Sequence, residues 1–267
     1  MGNESLKELQ KVEVQILTVI DEFCRENGIN YSLYAGTALG AVRHGGFIPW
    51  DDDIDICMER NEYNRFLKLW REKPMEGYTL AGDDEPECHI NHSKIFMDNT
   101  VLLNNGEAES GQGVFLDIFA LDKVPTDSKL RKKLIYKAKL RLIYTRDYPY
   151  RGGSKLLELA SRFILFKTKK RKAKLKRRLN EYIQQYRDAE NNYVYMGLEC
   201  PETLRYSYPA DLFETSEIEF EDRRFFITKK SDEMLTELYG DYMQLPPEEE
   251  RVCRHNPEIQ YIDEKNN

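Results

Sequence analysis

A chain of 267 residues with 40% apolar, 12% aromatic and 33% charged side chains can bury roughly three quarters of the surface its unfolded form exposes and is too rich in apolar groups to stay disordered. The formal charge of −7 is unevenly spread, because residues 129–178 hold 20 Lys and Arg against two acids, Asp147 and Glu158. The rest of the chain is therefore strongly acidic, and with no recognisable DNA- or RNA-binding motif a nucleic-acid partner is not expected.

Cys24, Cys57, Cys88, Cys200 and Cys253 are odd in number and free of CxxC spacing, which reads as reduced thiols. Cys88-His89-x-x-His92 lacks a fourth ligand and a usual spacing, so zinc is set aside. The longest apolar stretch, 156–166, is interrupted by Glu158 and Arg162 and is no membrane span. The amino terminus lacks the basic-then-apolar pattern of a secretory signal, and Gly2 lacks the hydroxyl at position 6 that myristoylation prefers. A cytoplasmic location is expected.

In chain order, residues 5–27 place Leu9, Val12, Ile16, Leu17, Ile20 and Phe23 at helical spacing, with Gly28 as the left-handed stop. Residues 29–35 read as extended, Gly36-Thr37 as a turn, 38–43 as a short helix, and 53–58 as a strand by its alternation of carboxylate and aliphatic. Helical periodicity resumes over 61–70. Strands are expected over 78–81, 92–103 and 113–120, long helices over 128–147 and 154–190, a hairpin over 218–227, a helix over 232–239 and then a Pro-bearing tail. A boundary near Val124-Pro125 divides a catalytic core, 1–124, from a basic helical region and closing segment, 125–267, the two packed as one unit.

The chemistry concentrates in residues 51–55. On a strand Asp51, Asp53 and Asp55 share one face, while Asp52, Ile54 and Ile56 take the other. Neighbours on one face sit about 6.6 Å apart, and each ionised pair repels by about 2.5 kcal/mol at an effective dielectric of 20. A positive counter-charge is required, and hard oxygen ligands favour Mg²⁺ or Mn²⁺. Asp117 interrupts the apolar segment 113–121, where an unpaired charge would cost several kcal/mol; a metal shared with Asp53 and Asp55 would partner it, as would a buried Arg or backbone bonds. Asp122 is expected to cap or line a loop. Upstream, Gly36, Thr37 and Gly40 can present backbone N–H groups to phosphate.

Together these features resemble the nucleotidyltransferase superfamily. Residues 34–56, YAGTALGAVRHGGFIPWDDDIDI, resemble more narrowly the signature of the LicD family, bacterial phosphocholine transferases related to fukutin-type proteins. Residues 113–121 are similar to that family's GxFxDIFPxD element, with Ala120 where Pro is frequent, and residues 239–248 agree with its later segment. The likeness runs from the first helix to about Arg254 and is weaker over 127–200. It implies an α/β (α+β) fold with a nucleotidyltransferase-like mixed sheet, an N-terminal helix and a basic helical region in mid-chain. It also implies metal-dependent transfer of phosphocholine from CDP-choline to a hydroxyl of a cell-surface glycan, teichoic acid or lipid-linked precursor, with release of CMP.

Carried over by position, Asp53, Asp55 and Asp117 hold the Mg²⁺ or Mn²⁺ with Asp51 as a further ligand, and Asp117 or Asp51 takes the acceptor's proton. Gly36, Thr37 and Gly40 cradle the diphosphate. Arg43 and His44 contact phosphate or leaving group, unless Arg43 pairs with the acids as support. Lys94 is a third cation for phosphate or a surface Lys. Trp50 packs on the choline ammonium or serves as a core Trp, and residues 239–247 cover the site or pack. Residues 156–178, with Leu156, Leu157, Leu159, Phe163, Ile164, Leu165 and Phe166 beside many Lys and Arg, suit an anionic membrane surface at its inner face or a solvated helical face. Two rivals stay open: a donor carrying phosphoethanolamine or a polyol phosphate, and a non-catalytic membrane adaptor with a structural cation.

Overall fold

The computed structural model describes residues 2–82, 92–108, 113–145, 155–168, 174, 177–178, 181–182, 185, 192–198 and 203–262. Its elements are α1 (Gly2–Asn27), β1 (Ser32–Leu33), α2 (Ala35–His44), β2 (Asp55–Glu59), α3 (Arg60–Glu72), β3 (Tyr78–Ala81), β4 (Ser93–Met97), β5 (Thr100–Asn104), β6 (Glu107–Ala108) and β7 (Phe115–Pro125). There follow α4 (Ser128–Thr145), α5 (Lys155–Thr168), β8 (Tyr193–Met196), β9 (Thr215–Phe220), β10 (Arg223–Thr228), α6 (Ser231–Tyr239) and β11 (Pro257–Tyr261). The chain forms two compact units, one of Met1–Gly82, Ser93–Phe119 and Asp211–Asn267, the other of Asp83–His92 and Ala120–Ala210. The architecture is mixed α/β, as the sequence implies.

In the first unit, α1 buries Leu9, Val12, Ile16, Leu17, Ile20 and Phe23. It closes where expected: Gly28 N–H donates to Arg25 O and Ile29 N–H to Cys24 O, the paired bonds of a left-handed helix end. Phe66 and Trp70 of α3 pack on Phe23, with ring centroids 5.6 and 4.8 Å from it. The sheet runs β1-β2-β7-β4-β3, and antiparallel pairing sets Ser32 opposite Cys57 and Lys94 opposite Asp117. β9 and β10 form a hairpin spanning 215–228, longer than the alternation suggests.

Several expected elements differ. Gly36 and Thr37 lie inside the first turn of α2, not in a turn before it. The strand over 53–58 begins only at Asp55, because Asp51 to Ile54 precede the first ladder pair and Asp51 N–H is instead bound to Ile48 O. The segment 92–103 is two strands separated at Asn99, whose φ is +57°. The Pro-bearing tail supplies β11, paired antiparallel to β5 from Pro257 opposite Asn104 to Tyr261 opposite Thr100. That pairing is decided by a partner more than 150 residues away and leaves no local signature.

In the second unit, the end of β7 pairs with β8, with Asp122 opposite Met196. Asp122 is therefore fully buried in a strand and does not line a loop. Val124, Leu134, Ala138, Met196, Leu198 and Leu204 form this unit's core. Asp127 caps α4 by accepting from Lys129 N–H and Leu130 N–H at 3.0 and 2.8 Å. The helix over 154–190 is α5 as far as Thr168; most of its remainder, and all of the Cys88-His89-x-x-His92 run except His92, lie outside the described residues. On α5, Leu156, Leu159, Phe163 and Phe166 are 80%, 65%, 58% and 82% exposed. Among the described residues no helix is long and apolar enough to cross a membrane.

Candidate active site

The site is assembled in the first unit by the loop 45–54 and the elements it touches. α2 starts at Ala35, held at a φ of +45°, and carries neither a side-chain cap nor an acid in its first turn. Its first N–H groups are thus not taken up by a capping side chain. Gly36 stands beside Asp51: a Cβ at Gly36 would lie 2.7 Å from Asp51 Oδ2, so only glycine lets the carboxylate rest on this helix start. Gly40 is buried against the same loop, and a Cβ there would meet Gly46 O at 2.4 Å. Thr37 is buried, its Oγ1 accepting from Asp55 N–H at 2.8 Å.

Backbone bonds stitch the acids into place. Asp117 N–H donates to Ile54 O, and Tyr34 N–H donates to Asp55 O, each at 3.0 Å. Gln10 of α1 donates from Nε2 to Asp51 O at 2.9 Å. At the hairpin tip, Glu221 N–H donates to Gly45 O at 2.9 Å and Glu221 Oε1 accepts from Phe47 N–H at 3.0 Å. The loop is thereby held from α1, α2, β7 and the β9–β10 hairpin.

Among the described residues, Asp51, Asp52 and Asp53 offer carboxylate oxygens that all lie within 4.8 Å of one another. Asp52 is not turned to the opposite face, because strict alternation applies only from Asp55, where the ladder begins. At 4.8 Å each ionised pair repels by about 3.5 kcal/mol at an effective dielectric of 20. The proton affinities follow. Burial, then the charges of Asp53 and Asp52, push Asp51 up to about 8. Burial, then Asp117 and Asp52, push Asp53 up to about 6, with Lys94 and His255 working the other way. Burial and the charges of Asp53 and Asp117 hold Asp55 well above the usual carboxylate range. Such a set suits a hard divalent cation.

The partner demanded by Asp117 is Lys94, whose Nζ donates to Oδ1 at 2.6 Å and lies 3.5 Å from the centroid of the Phe115 ring. Lys94 is thus a half-buried ion-pair member and not a surface lysine. Arg43 does not support the acids through any described bond; its guanidinium donates to Tyr242 O at 2.7 Å and Gln244 O at 3.4 Å, and its Nε to His44 Nε2 at 3.0 Å. Partial burial and the Arg43 charge lower the His44 pKa, which favours the neutral imidazole. Trp50 is half-buried, outside the core, with the His44 ring 6.5 Å away edge-on. With Arg43, Tyr239, Asp241, Tyr242 and Pro247 it lines a cavity of about 490 Å³, so the 239–247 segment adjoins the loop that carries the acids.

Sequence reasoning misses five neighbours. His255 Nδ1 lies 2.7 Å and Cys253 Sγ 3.5 Å from Asp52 Oδ2, and Glu221 and Gln10 bind the loop as described. None of these four leaves a local pattern. Glu13 does: it stands within the apolar stripe of α1 and is buried there, an acid on the wrong face of an amphipathic helix.

Residues 28–141 match the family model described as LicD/FKTN/FKRP, nucleotidyltransferase domain. The chain is 34% identical, over 96% of its length and 97% of the relative's, to the lipopolysaccharide cholinephosphotransferase LicD of Haemophilus influenzae. An uncharacterized protein of Rickettsia prowazekii is 36% identical over 111 residues, 42% of this chain and 39% of its own length. One of Rickettsia typhi is 34% identical over 83 residues, 31% of this chain and 24% of its own. Given the near full-length identity to the Haemophilus protein, together with the domain match over the acid loop and its surroundings, this chain belongs to the LicD family.

Proposed function

We propose that this protein transfers phosphocholine from CDP-choline to a hydroxyl of a glycan or lipid-linked glycan, releasing CMP, with Mg²⁺ or Mn²⁺ as cofactor. The observation that carries the reading is the group of carboxylates Asp51, Asp52 and Asp53 with oxygens within 4.8 Å of one another, flanked by Asp55 and Asp117. A divalent ion bound there would neutralise the donor's diphosphate and stabilise charge on the departing phosphate. The residues that would hold it are Asp51, Asp53, Asp55 and Asp117, to which the geometry adds Asp52.

The chain's own groups divide the remaining work. The uncapped start of α2 offers N–H groups and a positive dipole end to the diphosphate. Trp50, Tyr239 and Tyr242 offer aromatic faces to the choline ammonium, and Arg43 brings a guanidinium to the same cavity for its phosphate. The acceptor oxygen attacks the choline-bearing phosphorus in line; the new O–P bond forms as the bond to the CMP oxygen breaks. Asp51 or Asp117 takes the hydroxyl proton. With Mg²⁺ present, CDP-choline is expected to raise the melting temperature more than CDP-ethanolamine or CDP-ribitol. Failure of all three donors to shift it, with no CMP formed on adding glycan acceptors, refutes the reading.

The exposed Leu156, Leu159, Phe163 and Phe166 of α5, followed by the basic residues of 167–178, fit an anionic membrane surface that would bring the enzyme to a lipid-linked acceptor. The protein is expected to float with phosphatidylglycerol vesicles and not with phosphatidylcholine vesicles. Its absence from both floated fractions rules the contact out.

A further inference from the structure

Glu13 lies on α1 one turn beyond Gln10, the residue whose side chain binds Asp51 O at 2.9 Å. This stripe of α1 therefore meets the acid loop. Glu13 is only 2% exposed, and its Oε2 is buried with no hydrogen-bond partner among the described residues. A buried carboxylate oxygen without a partner is strongly unfavourable. After burial, the largest influences on it are the charges of Asp53, Asp52, Asp51 and Asp117, all of its own sign. Its neighbours along the helix, Leu9, Val12, Ile16 and Leu17, are buried and apolar and cannot compensate it. Packing alone would be served better by Leu or Gln at this position, and since no described side chain donates to this oxygen the carboxylate suits a bound cation.

We infer that Glu13 is a further carboxylate of the divalent-cation site, contributed by the stripe of α1 that also carries Gln10. The inference rests on the cation dependence proposed above. It adds to the loop and strand acids a ligand from the amino-terminal helix, so that cation binding ties α1 to the segment 51–55.

Calorimetric titration of the full chain with Mn²⁺ tests this directly, with Asp53→Asn and Glu13→Gln beside the wild type. Glu13→Gln is expected to weaken Mn²⁺ binding at least tenfold, in the range typical of lost metal-site support. Its cation-free melting temperature is expected to rise, because an amide at that position carries no charge to bury. Wild-type affinity in Glu13→Gln, with binding lost in Asp53→Asn, overturns the inference and leaves the proposed function standing. Absence of Mn²⁺ binding by the wild type overturns both. Should Glu13→Gln not fold, Glu13→Asp keeps the charge and withdraws it by one methylene; unchanged affinity there overturns the inference as well.

Discussion

Asp53→Asn is expected to lower CMP release from CDP-choline about a thousandfold while raising the melting temperature of the cation-free protein. The two effects have one cause. Asp53 is held by burial, Asp117 and Asp52 at a pKa of about 6, so near neutral pH it carries a charge that the folded protein resists. Asparagine removes that charge with little change of shape and relieves the repulsion within the loop. The same charge is what a divalent ion binds, and loss of about 4 kcal/mol of transition-state stabilisation corresponds to the thousandfold drop. Single-turnover CMP assays and thermal melts by circular dichroism read the two effects separately. A variant that keeps activity within tenfold of wild type removes Asp53 from the reaction; one that loses activity and also melts lower than wild type marks a structural acid instead.

Stability of the cation-free protein is expected to fall as pH rises from 5 to 8.5, the reverse of what ordinary salt-bridged acids produce. In the unfolded chain these carboxyls titrate near 3.8, whereas in the folded protein Asp53 titrates near 6 and Asp51 near 8. Between those values the folded state holds protons that the unfolded state has released, so each rise in pH favours unfolding. The contribution is fully present below about pH 4 and exhausted above about pH 8. The upward displacement of Asp53 alone is worth about 3 kcal/mol, or on the order of 5–10 °C in melting temperature for a chain of this size. Saturating Mg²⁺ or Mn²⁺ should restore the loss, since a bound cation supplies the charge that protons supply at low pH. A melting temperature that is flat over this range, with or without divalent ion, shows that the acids are not gathered as described.

Much of this was legible locally. The periodicity of α1 and α3, the left-handed stop at Gly28 and the strand carrying Asp117 follow from short-range pattern, and the run 34–56 carries the LicD resemblance that the full-length identity then establishes. Even within this run the reading failed where a pattern was extended past its cause. Alternation was applied from Asp51, but pairing begins at Asp55, and the irregular stretch between them brings Asp52 beside Asp51 and Asp53. Asp117 shows the converse. Its need for a partner was evident from an acid in an apolar strand, while the identity of that partner, Lys94, came from the antiparallel register that sets the two opposite each other.

The mixed α/β class and the family can be read from the amino-acid sequence, because they depend on periodicity and on motifs a few residues long. Folding alone joins the 215–228 hairpin, the 239–247 segment and the carboxy-terminal strand to the amino-terminal elements, and sets Gln10, Glu221 and His255 against the loop that bears the acids. A strand pairing, a hairpin tip against a loop and an imidazole against a carboxylate are contacts between residues far apart in the chain. Their energies depend on distance in space, which no local pattern encodes.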